Sequence, residues 1–163
     1  MTKRISLTQN QHALVDDEDF DKLVQMGSWY ARYELCTKSY YAQRHTPMKN
    51  GKRTTISMHR VIMNTPSDMQ TDHTNHDTLD NRKQNLRVCT RAENQHNTKL
   101  RKNTSSKYKG VSWDKIHRKW KAQIQINEKR ISIGYFKSEM QTAKAYNKRA
   151  KELFGEFALL NKI

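Results

Sequence analysis

The chain has 163 residues and carries 31 Lys and Arg against 16 Asp and Glu, a formal net charge of +15 with a pI near 9.9. Only 34% of residues are apolar and the mean hydropathy is −1.06, so the core is small, the longest apolar runs fall far short of a membrane span, and no secretory signal is readable behind Met1-Thr2-Lys3-Arg4. Two cysteines, Cys36 and Cys89, exclude a Cys-rich zinc site and a disulfide framework, while 3 Trp, 7 Tyr and 4 Phe argue against disorder; the expectation is an intracellular, soluble, basic protein with a polyanion as partner.

The first segment, to about Thr55, opens on Ile5-Ser6-Leu7-Thr8 and Ala13-Leu14-Val15. The acidic cluster Asp16-Asp17-Glu18-Asp19 then precedes Phe20, Leu23, Val24 and Met26 at helical spacing, which predicts a short helix with the acids as cap and dipole partners. Aromatic residues from Trp29 to Tyr41 predict strands. Asn50-Gly51, between Tyr40–Arg44 and Thr54–Met58, is a hairpin-turn signal. This segment reads as a small β-rich scaffold, and Arg44, Lys49, Lys52 and Arg53 around its turn would permit contact with a polyanion.

The second segment, about Ile56 to Leu100, holds Asp72-His73, then Asn85, then Asn94. Thr90-Arg91-Ala92-Glu93 has the form of a capping box, which starts a helix at about Arg91 and puts Asn94 in its first turn. Leu86-Arg87-Val88-Cys89 reads as a strand, Met69 to His73 as its partner, and Thr74 to Asn85 as the Asn/Asp-rich loop between them. The unit is strand, loop, strand, helix.

These residues resemble the HNH nuclease motif, the ββα-metal fold, in the phage-type variant whose last member is Asn. The resemblance covers His59 to Leu100 through His59-Arg60, Asp72-His73, Leu79-Asp80-Asn81-Arg82, Asn85-Leu86-Arg87 and Glu93 to Asn97. It implies phosphodiester hydrolysis, with Asp72 and Asn94 holding one divalent cation, Mg²⁺ first and Mn²⁺ as the alternative. His73 would take the proton from the attacking water. Asn85 would brace the loop and orient His73. His96, about 200° round the helix from Asn94, is a competing ligand; Asn97 shares the face of Asn94. His12, His45, His76 and His117 read as surface residues, and no small-molecule cofactor is expected.

A basic linker, residues 101–107, leads into the third segment, residues 108–163. Residues 1–100 carry 15 basic and 11 acidic residues, +4; residues 101–163 carry 16 and 5, +11. A one-sided block of this kind favours a nucleic-acid footprint. Trp120 to Ile126 and Arg130 to Gly134 alternate around a turn at Asn127-Glu128-Lys129, with Tyr108 to Trp113 as a further strand. Ala122, Ile124, Ile126, Ile131 and Ile133 are the expected buried face. A helix after Ser138, closed by Gly155, is expected to bury Met140, Ala143, Tyr146, Ala150 and Leu153. The free face, with the adjoining turn, offers Lys115, Arg118, Lys121, Gln123, Gln125, Arg130 and Ser132. Together with Lys109 and, from the second segment, Arg60, these form the expected DNA-binding set.

This third segment resembles the ethylene-response-factor type of DNA-binding domain, the AP-two fold. The resemblance runs through Tyr108-Lys109-Gly110-Val111, Trp120 to Ile124, Gly134-Tyr135-Phe136, Ala143 to Tyr146 and Gly155 to Ala158. It departs in the first hairpin, at Ser112, Trp113, Lys115 and His117, so base preference does not carry over. The whole chain is expected to be α+β: a scaffold plus HNH core over 1–100, with the motif at 59–100, a linker, and a three-stranded antiparallel sheet with one helix. The pairing resembles homing or phage-encoded HNH endonucleases, and the expected activity is a nicking or homing-type DNA endonuclease acting as a monomer on double-stranded DNA, away from membranes, in the cytoplasm, that of a bacterial host if the protein is phage-encoded. The rival readings are a DNA-binding regulator with an inactive HNH core and an RNA-binding basic protein.

Overall fold

A computed structural model describes residues 1–48, 50–98, 104–126 and 129–163. Lys49, the start of the expected linker at Arg101-Lys102-Asn103, and the turn residues Asn127-Glu128 lie outside the described residues. The fold is α+β, in two compact units, Met1–Arg91 and Ala92–Ile163. Among the described residues, no helix is long and apolar enough to cross a membrane.

In the first unit, β1 (Thr2–Ser6) and β2 (His12–Asp16) form an antiparallel hairpin that runs directly into α1 (Asp17–Gln25). The acidic residues Asp17, Glu18 and Asp19 occupy the first turn of α1, where the helix dipole favours them. Asp16 stands at the N-cap without a side-chain cap bond. It accepts instead from the Lys83 backbone N–H at 2.7 Å, while Lys83 Nζ reaches Glu18 at 2.6 Å and Asp19 at 3.4 Å. The acidic cluster therefore clamps the far end of the 74–85 loop rather than only capping its own helix.

Strands β3 (Tyr30–Glu34), β4 (Ser39–His45) and β5 (Thr55–Ser57) form an antiparallel sheet, followed by α2 (Met58–Ile62). Asn50 and Gly51 both take positive φ, 50° and 69°, between β4 and β5, which is why this dipeptide serves as the turn. Strands β6 (Gln70–His73) and β7 (Leu86–Cys89) pair antiparallel, with Asp72 opposite Arg87 and His73 opposite Leu86. One core draws on β1, β2, α1, β4, α2 and β7: Ile5, Ala13, Val15, Leu23, Trp29, Ala42, Met58, Ile62 and Leu86. The N-terminal scaffold and the β6–β7 hairpin thus share a single apolar interior, and β6 and β7 borrow their rigidity from it.

The chain continues through α3 (Arg91–His96), whose first residue closes the first unit. In the second unit, β8 (Val111–Asp114), β9 (Lys119–Ile126) and β10 (Lys129–Phe136) form an antiparallel sheet with β9 central, and α4 (Glu139–Phe154) packs on it. Ser138 caps α4 by accepting from Gln141 N–H at 3.2 Å, and Gly155, φ 52°, ends it. The core holds Tyr108, Val111, Ala143 and Trp120 on one side and Ile124, Tyr146, Ala150, Ile133 and Phe154 on the other.

Three expected core positions are corrected. Ile131 is 41% exposed: it pairs with Ile124 but stands on the edge strand β10, while Ile133, at the bulge between Ser132 and Gly134, packs against the core. Met140 and Leu153 are also exposed, because the buried stripe of α4 runs through Thr142, Ala143, Tyr146 and Ala150 to the half-buried Phe154.

Candidate functional site

Asp72 and His73 are the last two residues of β6, and both are buried, 7% and 5% exposed. Successive side chains of a strand point to opposite faces, so the two face different surroundings. His73 stands in an aromatic pocket. Its ring lies 5.1 Å from that of His59 at 85°, and 6.2 Å from Tyr41 at 68°; Tyr41 also stands edge-on to His59 at 6.0 Å. Burial pushes the His73 imidazole below its usual range, against the opposing pull of Asn81 and of the carboxylates of Asp72, Asp77 and Asp80. His59 is held down to about 3, by burial first and then by the neighbouring His73 and Arg60 charges. Both rings are therefore neutral at physiological pH, the state in which an imidazole can accept a proton.

The loop that follows is built around Asn85. Its Oδ1 accepts from Thr74 Oγ1 at 3.0 Å and from Asn75 N–H at 2.9 Å, while its Nδ2 donates to the Asp80 carbonyl at 2.8 Å. Asp80, 2% exposed, receives Arg82 through two bonds of 2.7 Å, and this guanidinium holds its carboxyl below the usual range. Asn85 thus ties the two ends of the 74–85 loop together.

The side chain facing His73 from this loop is Asn81. It is 1% exposed, its Oδ1 lies 3.5 Å from His73 Nε2, and its Nδ2 donates to the Leu79 carbonyl at 3.1 Å. Its backbone N–H bonds to Leu14 at 2.8 Å, so β2 holds it in place. The resemblance gives the orienting role to Asn85; it includes His59 and Asn81 without assigning them a role, and does not include Tyr41. The Asp80-Asn81-Arg82 run and His59-Arg60 were visible in the sequence, but their proximity to His73 is a product of folding.

On the other face of β6, Asp72 Oδ2 accepts from Arg87 Nε at 2.9 Å and from Nη2 at 2.6 Å. A carboxylate oxygen is a suitable donor for a hard divalent cation, and such a cation needs only one or two carboxylates beside substrate phosphates. Among the described residues, no three His, Cys, Asp or Glu side chains converge. The donor chemistry fits a lightly held cation at Asp72, not a cage of such side chains. Asn94 belongs to the second unit, in α3, half-buried, with Asn97 buried one turn on. His96 stacks on Phe154 at 3.6 Å and 10°, and burial, then the Lys109 charge, lowers its pKa.

Of the expected DNA-binding residues, Gln123 and Ser132 pair across β9 and β10, as do Gln125 and Arg130. With Lys121 they share the sheet face opposite to α4. Tyr135, the cross-strand partner of Lys121, adds an aromatic ring to that face, 39% exposed and 5.9 Å from Lys121 Nζ. Lys115 and Arg118 are exposed in the β8–β9 turn. The structure employs Lys109 and Arg60 internally. Lys109 Nζ donates to the carbonyls of His96 and Thr98 at 2.6 and 2.8 Å, and burial pushes it down to about 8. Arg60 donates to the carbonyls of Met69, Thr65 and Pro66 at 2.7–3.2 Å. Of the four histidines read as surface residues, His12, His45 and His117 are exposed and His76 is half-buried.

Residues 58–96, which hold α2, the β6–β7 hairpin and α3, match the family model described as HNH endonuclease. This stretch is therefore similar to HNH endonucleases, a family whose members generally use a divalent metal ion. The chain is also 43% identical over 99 residues to a protein of Acanthamoeba polyphaga mimivirus named uncharacterized HNH endonuclease L560. That alignment covers 60% of this chain and spans about half the length of the viral relative. No solved structure matches the chain.

Proposed function

We propose that this chain is a metal-dependent DNA endonuclease of nicking or homing type. In this reading His73 activates the water that hydrolyses a phosphodiester bond, and the second unit binds duplex DNA. The observation that carries the reading is the His73 pocket. A neutral, buried imidazole stands beside a carboxylate at a strand end, inside a segment matched to HNH endonucleases. His73 accepts the proton of the attacking water. Asn81 and the rings of His59 and Tyr41 hold the imidazole, and Asn85 keeps the loop closed behind it. On the motif, Asp72 and Asn94 would hold the cation, Mg²⁺ or alternatively Mn²⁺. When bound, the cation supplies positive charge to the scissile phosphate and the departing 3′ oxygen.

The open face of β8–β10 supports duplex binding: Lys121, Arg130, Gln123 and Gln125 are arranged as a sheet that reads a groove would need, in keeping with the AP-two resemblance. The decisive test incubates supercoiled plasmid with wild type and with His73→Ala, in Mg²⁺ or EDTA. Wild type nicks only with Mg²⁺, and His73→Ala falls by at least about a hundredfold. Nicking by His73→Ala at the wild-type rate, or undiminished nicking in EDTA, refutes the mechanism.

A further inference from the structure

The contact between Asp72 and Arg87 bears on the cation itself. The two residues are direct cross-strand partners of β6 and β7, so their side chains rise from the same face. Arg87 places both Nε and Nη2 on a single oxygen, Oδ2, at 2.9 and 2.6 Å. Both side chains are largely withdrawn from water, 13% and 9% exposed, so the pair is poorly screened. Its backbone has little freedom to yield, because Leu86 and Cys89, on either side of Arg87, are buried at 6% and 0% exposure. A divalent cation approaching this carboxylate meets a guanidinium already bonded to it, and two positive charges would then compete for one anion.

From this geometry we propose that Arg87 is an internal counter-cation that competes with the divalent cation for Asp72 and holds its affinity down in the free protein. The inference rests on the nuclease reading for the presence of a cation at Asp72, and adds the residue that sets how readily it enters. Arg87 here acts through Asp72 and is a positioning residue.

The test measures Mn²⁺ binding to the full chain without DNA, from the free-ion electron paramagnetic resonance signal. Arg87→Gln binds Mn²⁺ roughly tenfold more tightly than wild type, the scale on which one close charge shifts an ionic equilibrium. Arg87→Lys, which keeps the charge, stays within about threefold of wild type. The double variant Asp72→Asn, Arg87→Gln loses the gain. Equal or weaker Mn²⁺ binding by a cooperatively melting Arg87→Gln overturns the proposal. Should Arg87→Gln not fold, the wild-type Arg87 Nε–H resonance, assigned against Arg87→Lys, decides. It shifts with saturating Mg²⁺ if the guanidinium leaves Asp72, and an unmoved resonance refutes the competition. Absence of plasmid nicking by wild type with any divalent cation would remove the nuclease reading instead, and the two failures are read in separate experiments.

Discussion

His59 illustrates how a residue with no reacting role of its own can be tied to the site. It stands edge-on to His73 and its pKa is held to about 3, against 6.5 in an unfolded chain. Between these values the unfolded state binds more protons than the native one, so stability is complete above pH 6.5 and is lost as pH falls. The urea midpoint of wild type should therefore drop between pH 6.5 and 4.5, above the range where most carboxylates titrate. His59→Gln should flatten that slope. A midpoint independent of pH in wild type would contradict the buried, neutral ring. Arg60 and Lys109 teach a related lesson: a basic residue near a motif looks like a phosphate ligand in the sequence, yet each here bonds carbonyls of its own unit.

At the scale of elements, the three-stranded sheet and α4 depend on one close approach. A Cβ on Gly110 would stand 2.1 Å from Tyr146 Cδ2 and 2.7 Å from the Gln123 carbonyl, at a φ of +73°. Tyr146 is 3% exposed, and burial pushes its hydroxyl up to about 12. Gly110→Ala should cost more than about 3 kcal/mol, read by chemical denaturation of the second unit, since strain and overpacking combine. The sheet face gives a separate prediction. Lys121→Ala should weaken duplex binding and reduce its salt slope by about 1. Lys109→Ala should leave that slope unchanged while lowering stability by about 1–3 kcal/mol through its lost carbonyl bonds. Equal slopes for both variants would place DNA elsewhere than on this face.

For the whole molecule, one motif per chain predicts that supercoiled plasmid passes first to the open circle. Linear product should follow only later or at high protein concentration; linear DNA as the first product would require paired active sites. Much of this organisation was legible beforehand. The strand at Leu86–Cys89, the helix start at Arg91, the Asn50-Gly51 turn and the Ser138 and Gly155 boundaries of α4 all stand where local signals put them. Each is set by short-range chemistry: capping, positive φ, or alternation across a pleat. Ile131 was misplaced because alternation says which face a residue takes, not whether anything covers an edge strand, and Met140 and Leu153 because helical spacing alone does not say along which residues the buried stripe of α4 runs.

By itself, then, the sequence determined the basic charge and its uneven division and the strand–loop–strand–helix order, and it put Asp72, His73, Asn85 and Asn94 forward as the residues of the proposed motif. These are local patterns, written in neighbouring residues. Only the tertiary structure decided that Asn81, His59 and Tyr41 surround His73, that Arg87 grips Asp72, and that the N-terminal hairpin shares a core with β7. Those contacts join residues up to dozens of positions apart. They arise because burying a common apolar interior forces together polar groups that no local pattern relates.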